Sequence, residues 1–84
     1  MYSVIYDDVA LQDLGKLEKK IRKRIFEKIH STKENPFHYF VRLTARDEYK
    51  LRVGDYRVIA DIDDKTKRIS VLLIDHRKNI YKKH

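Results

Sequence analysis

One stretch of this sequence decides the fold: YKLRVGDYRVI, residues 49–59. Apolar and charged side chains alternate on both sides of a central Gly54-Asp55 pair, which is typical of two β-strands joined by a two-residue turn. Such a turn places Arg52 directly opposite Arg57 on the neighbouring strand. The stretch therefore predicts a hairpin that carries two arginines side by side.

The two faces of this hairpin differ in character, because successive side chains of a strand point to opposite sides. Lys50 lies on the face of the two arginines, which we expect to be open. The apolar residues of both strands share the other face, which we expect helices to cover. Like charges directly opposite each other on neighbouring strands are destabilising. We therefore predict that an anionic ligand compensates the cationic face. The alternative is that the chain's own acids, such as Asp55 or Asp61, neutralise the pair.

The rest of the chain predicts an α+β fold with the element order β-α-α-β-β-β. Residues 2–6 are predicted to form the first strand. Apolar residues at three- and four-residue steps between Val9 and Ile29 predict two helices that separate at Gly15. Residues 37–48 show no periodicity and are predicted to form a connecting loop. The three later strands are expected at residues 49–53, 56–62 and 69–75. The expected result is a small antiparallel sheet with an αα-hairpin packed on one face.

Length and composition limit the possible functions. The 84 residues suit a single domain, residues 1–84, with one thin core. The net charge of +7 favours polyanions such as RNA, with a membrane surface or a merely solubilising charge as alternatives. The start of the chain lacks the pattern of a signal peptide, and the longest apolar run, Val71 to Ile74, is too short to cross a bilayer. We therefore expect a soluble, cytoplasmic protein.

The sequence does not predict a metal or cofactor site. It has no cysteine, its four histidines lack the spacing of metal ligands, and its two glycines form no phosphate-binding loop. Asp61, Asp63 and Asp64 cluster, but a turn between two strands explains them better than a metal site. We therefore expect no cofactor.

A basic segment after the last strand converges on the hairpin. The run Asp75-His76-Arg77-Lys78 should bring Arg77, followed by Tyr81, to the end of the sheet where Lys50 lies. His76 adjoins this cluster, and an imidazole suits a general acid or base because it titrates near neutral pH. A solvated histidine at a strand end is the alternative.

These two motifs, together with Tyr81, resemble the RelE/ParE toxin superfamily, and the predicted element order matches it over nearly the whole chain. The RelE branch consists of ribosome-dependent endoribonucleases that cleave mRNA in the ribosomal A site. They are silenced by a RelB-type antitoxin whose helices cover the sheet and the helical hairpin. The resemblance implies a type II toxin that contacts mRNA and ribosomal RNA and inhibits translation. The alternatives are a ParE-like inhibitor of DNA gyrase, which shares the fold, and a non-catalytic module that binds RNA or the ribosome.

The resemblance also implies roles for individual side chains. Lys50 and Arg52 would occupy the position of two catalytic basic residues, and Arg57 would grip the scissile phosphate. Arg77 would stabilise the transition state or the leaving group. Tyr81 would stack on a base or assist proton transfer.

Metal-free RNA cleavage needs a base for the 2′-OH, cations for the phosphorane and an acid for the 5′-oxygen. Arg52 departs from the lysine usual in the best-known relative, and an arginine is a poor proton shuttle because it stays protonated. We therefore expect Arg52 to contact phosphate. The acid and the base remain open among Lys50, Tyr81 and His76.

Overall fold

A computed structural model describes the backbone of residues 1–83 and the side chains of residues 1–80. Four helices and five strands follow one another in the described chain. They are β1 (Ser3–Tyr6), α1 (Asp8–Gly15), α2 (Lys19–Ser31), α3 (Pro36–Tyr39), β2 (Val41–Arg42), β3 (Tyr49–Val53), β4 (Tyr56–Asp63), β5 (Arg68–His76) and α4 (Arg77–Lys83). The predicted α+β class and the helical hairpin that divides near Gly15 are confirmed. No helix in this part of the chain has the length and apolarity needed to cross a membrane.

The five strands form one sheet in the order β1-β5-β4-β3-β2. The β2–β3, β3–β4 and β4–β5 pairs are antiparallel, as predicted, but β1 pairs with β5 in parallel. A tight hairpin turn forces neighbouring strands to run in opposite directions. No such turn joins β1 to β5, because the helical hairpin and three strands lie between them in the chain, so the prediction of a wholly antiparallel sheet is corrected at this edge.

Helices α1 and α2 cover one face of the sheet and enclose the main core. Ile25 and Ile29 of α2 are fully buried in the same cluster as Val58, Ile69 and Val71 of the central strands. Burial of one such side chain contributes about 1.5–3 kcal/mol. This cluster packs β4 and β5 against the helices, and the charged side chains of the hairpin lie on the other face of the sheet.

The opposite face of the sheet is partly covered by α4, which the sequence did not predict. Ile59 and Ile80 are each only 1% exposed, yet both lie outside the main core cluster. Ile59 alternates with the core residues of β4, and α4 contacts both β4 and β5. The short tail is therefore a helix that packs on the cationic side, which corrects the expectation that this face is fully open.

The predicted loop over residues 37–48 is also corrected. Pro36, which directly precedes it, begins the one-turn helix α3. The ring of proline fixes its φ at a helical value, which makes proline suitable for the first position of a helix. Phe40 is then buried in the core, and Val41–Arg42 pair with β3 as the edge strand β2. These elements are too short to produce a periodic pattern in the sequence.

The aspartates at the end of β4 hold a turn, as predicted. The carboxylate of Asp63 accepts hydrogen bonds from the backbone N–H groups of Lys65 and Thr66 at 2.9 and 3.3 Å. These hydrogen bonds lower the pKa of the Asp63 carboxyl, and the bond from Thr66 has the largest effect. The carboxylate of Asp64 accepts hydrogen bonds from Tyr2 Oη and Lys67 Nζ. Within the described side chains, no group of three or more His, Cys, Asp or Glu residues could hold a metal ion.

A β-bulge in β5 sets the register beside the hairpin. Ala60 pairs with Val71 but Ile59 pairs with Leu73, so Leu72 is an extra residue in β5. The buried carboxylate of Asp13 on α1 accepts the backbone N–H of Ile74 at 2.9 Å, just beyond the bulge. Helix α1 thereby supports this irregular stretch of the sheet.

Candidate functional site

The β3–β4 hairpin has the predicted geometry. Arg52 pairs with Arg57 across the two strands, and the two-residue turn lies between Val53 and Tyr56. Gly54 adopts a φ of +59°, a conformation that favours glycine in turns of this kind. The Arg24 guanidinium also lies over Gly54, so that a Cβ there would meet Arg24 Nη1 at 2.9 Å. The positive φ is therefore the main reason for glycine here, since the flexible end of the Arg24 side chain could move away from a Cβ.

Arg57 is buried and held in place. Its side chain is among the buried residues at 7% exposed, and its Nη1 donates hydrogen bonds to the carbonyl oxygens of Gly54 and Tyr56, each at 2.9 Å. Buried guanidinium groups need such partners, because desolvation of an unpaired charge is costly. Hydrogen bonds to the turn itself thus fix the orientation of this cation.

An acid faces Arg57 from the third strand of the meander. Because of the bulge in β5, Asp75 is the direct cross-strand partner of Arg57; without the extra residue, Ile74 would occupy that place. The two side chains share one face of the sheet. Of the acids considered from the sequence, Asp55 contacts Arg77 and Asp61 pairs with Ser70 farther along β4. The chain's own acids, Asp75 opposite Arg57 and Asp55 beside Arg77, therefore lie where they offset part of the cationic charge.

Four predicted site residues converge on one open cleft of about 450 Å³, together with one residue that the sequence analysis did not single out. The lining side chains are Lys50, Arg52, Arg57, Arg77 and Lys78. All five are cationic at neutral pH. Lys78 had no predicted role. It directly follows Arg77 in the basic motif, and this position is the sequence signal that could have identified it. Such a cleft suits a phosphate-bearing ligand.

Arg77 is anchored to the hairpin turn. Its backbone N–H donates to the carbonyl oxygen of Asp55 at 2.8 Å. Its side-chain Nε lies 3.9 Å from the Asp55 carboxylate, with both side chains largely exposed. The backbone bond fixes the start of α4 against the turn, whereas an exposed ion pair at this distance contributes little.

His76 lies beside the cleft but does not line it. Its strand position places it opposite Tyr56, on the face that alternates with Arg57 and Asp75. The two aromatic rings meet edge to face with centroids 5.4 Å apart, and His76 Nδ1 accepts the backbone N–H of Lys78 at 3.1 Å. The side chain of Tyr81 lies outside the described residues.

The cationic surface continues from the cleft toward α2. Arg52 also lines two neighbouring depressions, one with Arg24 and one with Lys28 and Tyr39. Lys28 Nζ lies 5.0 Å from the ring centroid of Tyr39, within the range of a cation–π contact. Arg52 thus joins the cleft to a second basic area at the β3 side of the sheet.

A separate apolar groove lies between α1, α2 and β1. Tyr6, Leu11, Leu14 and Phe26 line it, and the basic side chains at its rim are Lys19, Arg22 and Lys23. Phe26 is 46% exposed, and its ring stacks on that of Tyr6 with centroids 6.2 Å apart. Burial raises the pKa of Tyr6 to about 12. Exposed aromatic surface of this kind is typical of protein interfaces.

Comparison with known proteins gives consistent matches. A family model described as "ParE toxin of type II toxin-antitoxin system, parDE" matches residues 4–81. A curated relative, the putative toxin RelE4 of Methanocaldococcus jannaschii, is 32% identical over 78 residues, which are 90% of this chain and 83% of the relative.

Solved structures with the same fold come from bacteria and archaea. The toxin–antitoxin complex RelBE2 of Mycobacterium tuberculosis contains a chain that matches with a TM-score of 0.84 and 28% identity, covering 90% of this chain and 98% of that one. The RelE–RelB complex of Pyrococcus horikoshii matches with a TM-score of 0.74 and 28% identity, covering 90% and 94% of the two chains.

Proposed function

Since the chain belongs to the ParE toxin family of type II toxin–antitoxin systems, as a toxin of RelE type, we propose that it is a ribosome-dependent endoribonuclease. In this proposal, residues 1–84 act as one toxin domain in the cytoplasm. The domain cleaves mRNA in the ribosomal A site and thereby inhibits translation. Ribosomal RNA surrounds the bound toxin and contributes to its electrostatic attraction.

The observation that carries this proposal is the convergence of Arg52, Arg57 and Arg77 on one cleft. Arg57 is oriented by two backbone carbonyl groups, so its guanidinium does not need to reorganise when charge develops. Preorganised donors aimed at developing negative charge commonly account for 10²–10³-fold of a rate, as an order of magnitude. Inhibition of a protein target would not require such a rigid cation.

The proposed reaction is an attack of the 2′-oxygen on the adjacent phosphorus. A P–O bond to the 2′-oxygen forms, and the bond from phosphorus to the 5′-oxygen breaks, through a phosphorane intermediate or transition state. Arg57 holds the non-bridging oxygens, Arg52 contacts the phosphate, and Arg77 stabilises charge on the leaving oxygen. These groups supply the cationic charge that the phosphorane requires.

Two proton transfers complete the reaction. A base removes the proton of the 2′-OH, and an acid delivers a proton to the 5′-oxygen. Lys50 lines the cleft and is a candidate for one of these steps. Tyr81 is the other candidate that we retain.

Expression in a bacterial host tests this proposal. We expect wild-type toxin to arrest growth and to leave mRNA with new 5′ ends within codons. Arg57→Ala and Arg77→Ala should relieve the arrest while the proteins remain folded by circular dichroism. Arg68→Ala is the matched control, because Arg68 is an exposed arginine at the far end of β5 and should stay toxic. Full toxicity of both cleft variants would refute the assignment.

The family model bears the name of ParE, and this observation supports a second candidate, a gyrase inhibitor. Purified toxin added to separate translation and DNA-supercoiling reactions distinguishes the two. Loss of supercoiling with intact translation would replace the ribonuclease proposal. Binding to ribosomes with uncut A-site mRNA would indicate a non-catalytic ribosome-binding module instead.

We further propose that a RelB-type antitoxin docks an acidic amphipathic helix in the groove of Tyr6, Leu11, Leu14 and Phe26. Both of the similar structures described above are complexes of a toxin with its antitoxin. The apolar floor suits the buried face of a helix, and the basic rim suits acidic residues on the flanks of that helix.

Co-purification with the product of the neighbouring gene tests this docking surface. Phe26→Ser should weaken the complex at least tenfold, because it removes an aromatic anchor from the groove. Phe37→Ser is the matched control, since Phe37 is 44% exposed but does not line the groove. Equal affinity of wild type and Phe26→Ser would place the antitoxin elsewhere.

A further inference from the structure

The imidazole of His76 occupies the junction between β5 and α4. Its Nδ1 accepts the backbone N–H of Lys78 at 3.1 Å. An accepting ring nitrogen carries no proton, so this hydrogen bond requires the tautomer that has its proton on Nε2. The edge-to-face contact with Tyr56 holds the ring in the required plane.

This hydrogen bond caps the N-terminal end of α4. The first N–H groups of a helix lack partners within the helix, and a side-chain acceptor just before the first turn satisfies one of them. At the start of α4, the carbonyl oxygen of Asp55 accepts the N–H of Arg77, and His76 accepts the N–H of Lys78. Arg77 and Lys78, the two residues of α4 that line the cleft, are therefore both held in place by hydrogen bonds from their backbone N–H groups.

We propose that His76 is a positioning residue, which fixes Arg77 and Lys78 over the cleft through Nδ1 and takes no part in proton transfer. The effect of His76 on cleavage rests on the proposed function, whereas its hydrogen bond to Lys78 does not. Two observations separate His76 from the reacting atoms: its side chain does not line the cleft, and its strand position points it to the other face.

Two variants separate positioning from acid–base catalysis. His76→Asn keeps an acceptor at the position of Nδ1 but cannot titrate, and asparagine is a good cap. His76→Phe keeps the ring against Tyr56 but has no acceptor. With programmed ribosomes at saturating toxin, we expect His76→Asn to cleave within about threefold of wild type. We expect His76→Phe to lose about tenfold or more in kcat, because misplacement of a catalytic group by ~1 Å can cost up to ~10²-fold.

An acid–base role predicts a different result. Both variants would then lose about 10²–10⁴-fold, the usual contribution of general acid–base catalysis. That outcome, or wild-type rates in both variants, overturns the proposal.

Nuclear magnetic resonance tests the same contact without any cleavage assay. The long-range ¹H–¹⁵N spectrum of wild-type protein should show His76 with an unprotonated Nδ1 and a protonated Nε2. Hydrogen exchange of the Lys78 amide should be slow in wild type and His76→Asn and faster in His76→Phe. A proton on Nδ1, or equal exchange in all three proteins, refutes the cap. If wild-type toxin cleaves nothing, the proposed function fails while these spectra still decide the role of His76.

Discussion

Arg52 and Arg57 both belong to the candidate site, and we expect their cross-strand pairing to lower the free energy of unfolding. Like charges directly opposite on neighbouring strands destabilise a hairpin by about 0.2–1 kcal/mol. Asp75 lies opposite Arg57 on its other side and offsets part of this repulsion. We therefore expect Arg52→Gln, which keeps a polar side chain of similar length, to raise the free energy of unfolding by about 0.5 kcal/mol. For a domain of this size, that gain corresponds to an increase in Tm of about 2–4 °C.

Urea unfolding at two ionic strengths measures this effect. The Debye length falls from about 30 Å at 0.01 M salt to about 3 Å at 1 M, so the gain should be largest at low salt and nearly vanish at high salt. Arg22→Gln is the matched control, because it removes the same charge from an exposed position on α2. Arginine and glutamine have similar helix propensities, so this control should change stability by less than about 0.3 kcal/mol.

The same substitution should lower activity, since Arg52 lines the cleft. A more stable and less active Arg52→Gln protein is the signature of a site that requires a bound anion. If Arg52→Gln is less stable than wild type, or if its gain persists in about 1 M salt, the repulsion argument is refuted. The inference that a phosphate belongs between the two arginines then loses its physical basis.

Three further substitutions test other parts of the structure. Gly54→Ala should lower the free energy of unfolding by about 1–2 kcal/mol in urea titrations, because of the positive φ at this position; an unchanged midpoint would contradict this turn geometry. Asp13→Ala leaves the buried N–H of Ile74 without its acceptor and should cost about 1–3 kcal/mol, together with much of the cleavage activity, whereas full activity would show that the bulge needs no support from α1. The hydrogen bonds from Thr66 and Lys65 lower the pKa of Asp63 in the folded state, so their stabilisation is present above the unfolded pKa and is lost as the pH falls through the folded value. Asp63→Asn should flatten the acid side of the stability profile, and an unchanged acid side would contradict the role of this carboxylate.

The hairpin was predictable to the residue, because three independent signals agree there. The period-two pattern defines both strands, the Gly54-Asp55 pair defines the turn, and the length of the turn then determines the register of Arg52 and Arg57. The observed bounds of β3 and the pairing across the turn match the prediction. These features depend on residues that are close together in the sequence, and they can therefore be predicted from it.

The environment of Arg57 was not predictable, because a long-range feature creates it. Asp75 reaches Arg57 only through the extra residue Leu72 in β5, and a bulge leaves no distinct pattern in an apolar strand. The burial of Arg57 also depends on tertiary packing, whereas arginine in general suggests exposure.

Helix α4 escaped prediction for a simpler reason. Among its described side chains, Ile80 is the one that is buried, and one apolar residue cannot establish a helical period. The structure brings Lys50, Arg52, Arg57 and Arg77 together as predicted but places the His76 ring against Tyr56. Strand alternation alone separates His76 from Asp75 and Arg57, so this position of His76 was predictable from the sequence.

The position of β5 has a consequence for synthesis of the protein. This strand comes last in the chain, yet it lies between β1 and β4. Until residues 68–76 leave the ribosomal exit tunnel, β1 has no partner strand, and the sheet consists only of β2, β3 and β4. Pairings between strands so distant in sequence form late in folding. The complete sheet of the toxin therefore cannot form until the ribosome has made and released residues 68–76.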